Sequence, residues 1–256
     1  MEIVILDNAA QVCATAAGIV KRALKAKPES VLGLATGRTM EPVYSALIGA
    51  DFSKASTFNL DEYMGVGPED AGSYAHYMQE HLFGHVNLSP ERIHLLDGLT
   101  DDPEQECLSF EAAIEKAGGI DVQLLGIGEN GHIAFNEPGS SLASRTRFKT
   151  LASSTIASNK ECFPGGEPPR HVLTMGVGTI LESRLCLLLA YGRRKAQAVA
   201  SMAEGPLTAM CPASALQMHP RTIVLLDEEA ALQLKLVDYY KLAYRQKPER
   251  LKYPQA

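Results

Sequence analysis

No two cysteines in this chain form a CxxC pair. The five present (Cys13, Cys107, Cys162, Cys186 and Cys211) are odd in number and far apart. That excludes a disulfide framework or structural zinc site as the expected reading and points to reduced thiols in a cytoplasmic protein. No run reaches the ~18 apolar residues of a membrane span. The opening MEIVILDNAAQ has no basic leader ahead of an apolar stretch, so no signal peptide is expected. Positive charge is not in excess either. The net charge is -6, which argues against nucleic acid as a partner, because phosphate backbones are bound by basic faces. A small anionic ligand needs only a local positive site. What remains, 46% hydrophobic and 21% charged residues among 256, is an ordinary globular composition. A chain of this size buries roughly 75% of its unfolded surface and needs no covalent staples.

Short apolar runs bounded by turn residues recur: SVLGLATG (30–37), STFNLDEY (56–63), DVQLLGIG (121–128), HVLTMGVG (171–178), RLCLLLAYG (184–192) and RTIVLLDEE (221–229). They are near-continuous rather than alternating, as expected of strands covered on both faces in a parallel sheet. Helical stretches lie between them, at 9–26, 40–50, 73–83, 102–118 and 195–205. In the first, Val12, Ala16, Ile19, Val20 and Leu24 fall near helical spacing. The alternation predicts an α/β fold: an open, mostly parallel, doubly wound (Rossmann-like) sheet with helices on both faces. There is no internal repeat and no low-complexity linker. Gly165, Gly166, Pro168 and Pro169 mark a loop, so 1–256 reads as one domain. Ligands of such sheets sit beyond the carboxyl ends of the strands.

Residues 126–138 read GIGENGHIAFNEP. The first six fit G-x-G-x-x-G, but a dinucleotide site needs a helix running on from the third glycine and an acidic residue ~20 positions later. Asn136, Pro138 and Gly139 leave room for barely two turns, and 139–159 contains no Asp or Glu. A nicotinamide cofactor is therefore not expected; the glycines serve a turn or a close backbone approach. The second half holds His132, with Asn130 two residues before it and Glu137 five after. A carboxylate beside a histidine can orient its ring for acid–base work, although a plain turn would also accommodate these residues. Asp61 and Glu62 end the strand STFNL; Asp61 is either a cap or a base aimed into the crevice. LATGRT (34–39) runs from a strand through a glycine turn toward a helix, and its Thr36, Gly37, Arg38 and Thr39 suit phosphate. Lys195, at another strand–helix junction, could reach the same anion. Neither metal nor cofactor is called for: His132 has no His or Cys partner at ligand spacing.

LGLATGRT, TFNLDEYMG, LLGIGENGHIAFNEPGSSLASRTR, LTMGVGTIL and ASALQMHP together resemble the glucosamine-6-phosphate deaminase family, in its order and over nearly the whole chain. The resemblance implies conversion of glucosamine 6-phosphate and water to fructose 6-phosphate and ammonia. It places the C2 base at Asp61, the ring-opening histidine at His132, its assisting carboxylate at Glu137, and Asn130 where many members carry Asp. Two positions depart from the family. Arg38 stands where well-studied members have the turn's second glycine, and Glu161 stands where they have an arginine, with Lys160 beside it. The expectation is that Arg38 replaces the missing arginine, with Lys195 as second cation. Many members are homo-oligomers activated by an acetylated sugar phosphate. The matching positions are Ser140, Arg147, Lys149 and Tyr239, although Arg145, Arg147 and Lys149 would also make a solvated basic edge. The competing expectations are a deaminase for the galactosamine epimer, a 6-phosphogluconolactonase, and a sugar-phosphate sensor without turnover.

Overall fold

The computed structural model describes residues 1–160, 163 and 166–253. Cys162, Glu161 and Gly165, singled out above, lie outside them. The strands are β1 (Glu2–Leu6), β2 (Val31–Leu34), β3 (Ser56–Asn59), β4 (Asp61–Tyr63), β5 (Ile93–His94), β6 (Val122–Leu125), β7 (Arg147–Thr150), β8 (His171–Thr174), β9 (Cys186–Ala190) and β10 (Thr222–Asp227). The helices are α1 (Ala9–Ala26), α2 (Glu41–Leu47), α3 (Tyr74–His81), α4 (Pro103–Lys116), α5 (Ser153–Asn159), α6 (Val177–Leu181), α7 (Ala196–Glu204) and α8 (Val237–Arg245). Seven strands form one open sheet in the order β1, β10, β9, β6, β2, β3, β5, every pairing parallel. Helices pack around it.

The apolar runs explain its centre. Every residue of β2, β6, β9 and β10 is buried, as strands sandwiched between helices must be. Each buried leucine there contributes about 1.5–3 kcal/mol. α1 begins where the Asn8 side chain accepts from the Gln11 N–H at 3.0 Å, an N-cap that fixes its first turn. Its apolar stripe of Val12, Ala16, Ile19, Val20 and Leu24 is buried against β10, β9 and β1.

Two expectations are corrected. STFNLDEY is not one strand: β3 ends at Asn59, and after Leu60 the chain enters a second sheet of order β4, β8, β7. HVLTMGVG belongs to that sheet too, with β8 antiparallel to both β4 and β7. The reason it reads as a parallel core strand is packing on both sides. Leu173 joins the main hydrophobic core, while Val172 joins a satellite cluster with Tyr63, Phe135 and Leu151. The periodicity also left β1, β5, β7, α5, α6 and α8 unread. β7 is Arg-Phe-Lys-Thr with no buried residue, and α8 lies over edge strand β1 with none either.

Candidate active site

The carboxyl ends of β2, β3, β6 and β9 open into one cleft of about 980 Å³. Its wall is built from the segments that follow those strands: Thr36–Met40, Leu60–Asp61, Gly126–Glu129 with His132, and Tyr191–Lys195.

The glycine turn after β2 needs Gly37, whose φ of 109° lies where side chains are disfavoured. The turn is held from outside. The Tyr77 hydroxyl donates to the Gly37 carbonyl at 2.9 Å, and the Tyr191 hydroxyl to that of Arg38 at 3.3 Å. The Thr36 and Thr39 side chains are hydrogen-bonded to Tyr74 and Tyr191, and all four residues line the cleft. Across from it, Lys195 donates to the Ile127 carbonyl at 2.8 Å. Burial lowers the Lys195 pKa, against the pull of Glu129. Arg194 pairs with Glu129 at 2.7 Å. The cleft therefore carries Arg38, Arg193, Arg194 and Lys195 on its wall, against Asp61, Glu129 and Glu229.

The loop after β6 is over-determined. Gly131 has φ 85°, and a Cβ on it would meet Cys211 Sγ at 2.6 Å. The buried Asn136 amide donates to the carbonyls of Ile133 and Met175, both at 2.9 Å. Ala134 sits at φ 48°, a conformation alanine adopts only when its surroundings impose it. The result presents His132 to the cleft, with Glu137 and Asn130 behind it. His132 Nδ1 is 3.6 Å from Glu137 Oε2. Asn130 Nδ2 donates to the same oxygen at 2.8 Å, and Asn130 Oδ1 accepts from the His132 N–H at 3.1 Å. Thr155 donates its hydroxyl to Glu137 Oε1. Burial would raise the Glu137 pKa, but His132, Thr155 and Asn130 together bring it down to about 2. The group is a fixed carboxylate at neutral pH.

Asp61 comes from the small sheet, opposite Thr174 of β8. The Thr174 hydroxyl accepts from the Phe135 N–H at 3.1 Å, which joins the histidine loop to the strand pair carrying Asp61. Asp61 is 6% exposed. Burial first, then the neighbouring Glu62 charge, push its pKa well above the carboxylate range, against a backbone hydrogen bond with Phe135. Glu62 points elsewhere. It accepts from the N–H groups of Tyr63, Tyr74 and Ala75 at 2.8, 2.9 and 2.9 Å, so it caps α3. Burial still raises its pKa to about 7.

The structure thus brings Thr36, Gly37, Arg38, Thr39, Asp61, His132 and Lys195 onto one cleft, with Asn130 and Glu137 directly behind His132. Ser140, Arg147 and Lys149 lie outside it, on the loop after Glu137 and on β7. Tyr239 is on α8, against β1. Several lining residues were not picked out from the sequence. Tyr74 is one; its hydroxyl is hydrogen-bonded with Tyr63 and Thr36. Ala157, Ser158 and Asn159 of α5 are others. None of these has a local signal: each is an ordinary residue on an amphipathic or short helix.

An open parallel sheet with a histidine–carboxylate pair, a buried aspartate and cations around the cleft at its carboxyl ends defines the class, a Rossmann-like α/β protein. Residues 7–225 match the family of glucosamine-6-phosphate isomerases/6-phosphogluconolactonase, and the chain belongs to that family. It is 48% identical over 255 residues to the glucosamine-6-phosphate deaminase of Arthrobacter sp. (strain FB24), covering 97% of this chain and 98% of the relative. It is 47% identical over 249 residues to glucosamine-6-phosphate deaminase 2 of Bacillus subtilis (strain 168), covering 93% and 100%. A solved structure of a monomeric glucosamine-6-phosphate deaminase superposes with a TM-score of 0.88 at 42% identity, covering 91% of this chain and 100% of that one. The 6-phosphogluconolactonase from Trypanosoma cruzi, at 18% identity and TM-score 0.76, covers 91% and 97% and shares the fold.

Proposed function

We propose that this chain converts glucosamine 6-phosphate and water to fructose 6-phosphate and ammonia. The observation that carries the reading is the convergence of Asp61, the His132–Glu137–Asn130 set and the Thr36–Thr39 turn with Lys195 on one cleft. The phosphate sits against Thr36, Gly37, Arg38 and Thr39, with Lys195 as second cation; Arg38 takes the part of the family's arginine. His132, steadied by Glu137 and Asn130, takes the proton from O1 of the cyclic hemiacetal and returns one to O5, opening the ring. Asp61 then removes the C2 proton, which is acidified by the C1 carbonyl, and delivers it to C1. The enolamine becomes a C2 iminium, which water hydrolyses to the ketose and ammonia. A buried Asp61 with a raised pKa suits this sequence. The cationic amine at C2 supplies the opposite charge that favours the ionised base when substrate arrives.

The test is release of ammonia and fructose 6-phosphate from glucosamine 6-phosphate, one to one, with no metal or nicotinamide added. Galactosamine 6-phosphate calls on the same groups and is the first alternative substrate to assay. A lactonase has no use for a carbon acid base at Asp61. A sensor would bind the sugar phosphate and release nothing.

Buried atoms favour a second, regulatory reading. Ser140 Oγ and Arg147 Nη2 are buried without a hydrogen-bond partner among the described residues. They suit an acetylated sugar phosphate held, with Lys149 and Tyr239, where a second copy of the chain meets this one. Hyperbolic kinetics indifferent to N-acetylglucosamine 6-phosphate would remove that reading.

A further inference from the structure

The Glu137 carboxylate is fixed from two sides. Asn130, from its own loop, donates to Oε2 at 2.8 Å. Thr155, from α5, donates to Oε1. Thr155 is 4% exposed and is the one buried residue of its seven-residue helix. Three other residues of α5, Ala157, Ser158 and Asn159, line the cleft. Asn159 Nδ2 also donates to the Tyr63 hydroxyl at 2.7 Å, two residues along β4 from Asp61. Tyr63 packs edge-on against Phe163 and Phe135. One short helix therefore touches the cleft, the strand of Asp61 and the carboxylate behind His132.

A helix this short is not stable by itself; α5 persists through these contacts. A buried threonine hydroxyl on a carboxylate is a charge-assisted hydrogen bond, stronger than a neutral one. Asn130 and Thr155 are neutral, and among the described residues His132 is the titratable group that lowers the Glu137 pKa. With Asn130 alone, the carboxyl group would keep one tether and could rotate away from His132 Nδ1.

We propose that Thr155 is a positioning residue for the ring-opening set: its hydroxyl aligns the Glu137 carboxylate on His132, and it makes that alignment depend on the helix that lines the cleft. This rests on the assignment of His132 and Glu137 to ring opening. The cleft and the acid–base pair are thereby joined, so a substrate that seats against Ala157–Asn159 also steadies Glu137.

The experiment compares Thr155→Val, which keeps the shape and removes the hydroxyl, with Thr155→Ser, which keeps the hydroxyl. With glucosamine 6-phosphate, T155V is expected to lower kcat by roughly tenfold or more, the scale of one charge-assisted hydrogen bond, with KM little changed; T155S restores kcat. Binding of 2-amino-2-deoxyglucitol 6-phosphate, which keeps the amine and phosphate but has no ring to open, stays at the wild-type level in T155V. In protein labelled with carboxyl-¹³C glutamate at neutral pH, the resonance that disappears in Glu137→Gln shifts in T155V and returns in T155S. Wild-type kcat in T155V, or an unmoved Glu137 resonance, overturns the proposal. So does a kcat loss that T155S leaves in place while glucitol phosphate binding weakens, because that describes packing of α5 alone. If the wild-type protein does not turn over glucosamine 6-phosphate, the functional reading fails, and the Glu137 resonance by itself decides the role of Thr155.

Discussion

The His132 imidazole lies so close over Gly128 that a Cβ there would stand 2.3 Å from Cε1 and 2.4 Å from Nε2. Gly128 is not among the glycines with positive φ, so the constraint falls on the ring and not on the backbone. Gly128→Ala should therefore fold but displace His132, lowering kcat on the order of 10²-fold or more, the scale of general acid–base catalysis. Gly131→Ala should differ. Its φ of 85° and the 2.6 Å approach to Cys211 Sγ predict a lowered melting temperature as well. Kinetics and thermal melts of the two variants check this, and a fully active G128A would remove His132 from the mechanism as drawn.

Asp61→Asn keeps the size of the side chain and removes the base. Exchange of the C2 proton with deuterated solvent should stop and kcat should fall on the order of 10²- to 10⁴-fold, while binding of substrate persists. Exchange is read by proton NMR of recovered substrate. Exchange at the wild-type rate in D61N would assign the carbon acid step to another group.

Arg38→Ala should raise KM roughly tenfold to a hundredfold, the scale of a hydrogen bond to a charged group, with little change in kcat. Lys195→Ala should raise KM and lower kcat together, because Lys195 also ties the Ile127 carbonyl at 2.8 Å and so steadies the loop leading to His132. Steady-state kinetics separate the two. An unchanged KM in R38A would leave the phosphate to the turn and Lys195 alone.

Glu62 carries a stability signature. Its folded pKa is raised from an ordinary 4.5 to about 7 by burial. The folded state therefore holds a proton the unfolded state has already lost. Stability from this group is full below about pH 4.5 and is lost as pH rises through 7. The melting temperature of the wild type relative to Glu62→Gln should be higher at pH 5 than at pH 8. Two melting curves that track each other across that range would contradict it.

Much of this architecture can be read in the chain because burial on both faces leaves a plain trace. The runs at β2, β6, β9 and β10 are apolar but for Gln123, Thr222 and Asp227, and the turn around Gly37 announces itself. The break at Leu60 leaves no such trace. Leu60, Asp61 and Tyr63 are all buried, so nothing in STFNLDEY marks where one sheet stops and the other begins. β8 misleads for the same reason, since it is packed between two clusters. His132, Asn130 and Glu137 could be grouped because they are close in sequence. Thr155 is eighteen residues from Glu137 and Tyr74 is on another helix, and only folding puts them beside the site.

The break at Leu60 also has a metric consequence. In the proposed reaction the turn that grips the phosphate belongs to the large sheet and Asp61 to the small one, so their spacing would act as a ruler. A sugar anchored by its phosphate offers Asp61 the carbon that lies at the right count along its backbone. A pentose 5-phosphate, one carbon shorter, would present the wrong atom. Discrimination by chain length would then reside in the spacing of two sheets rather than in any single side chain.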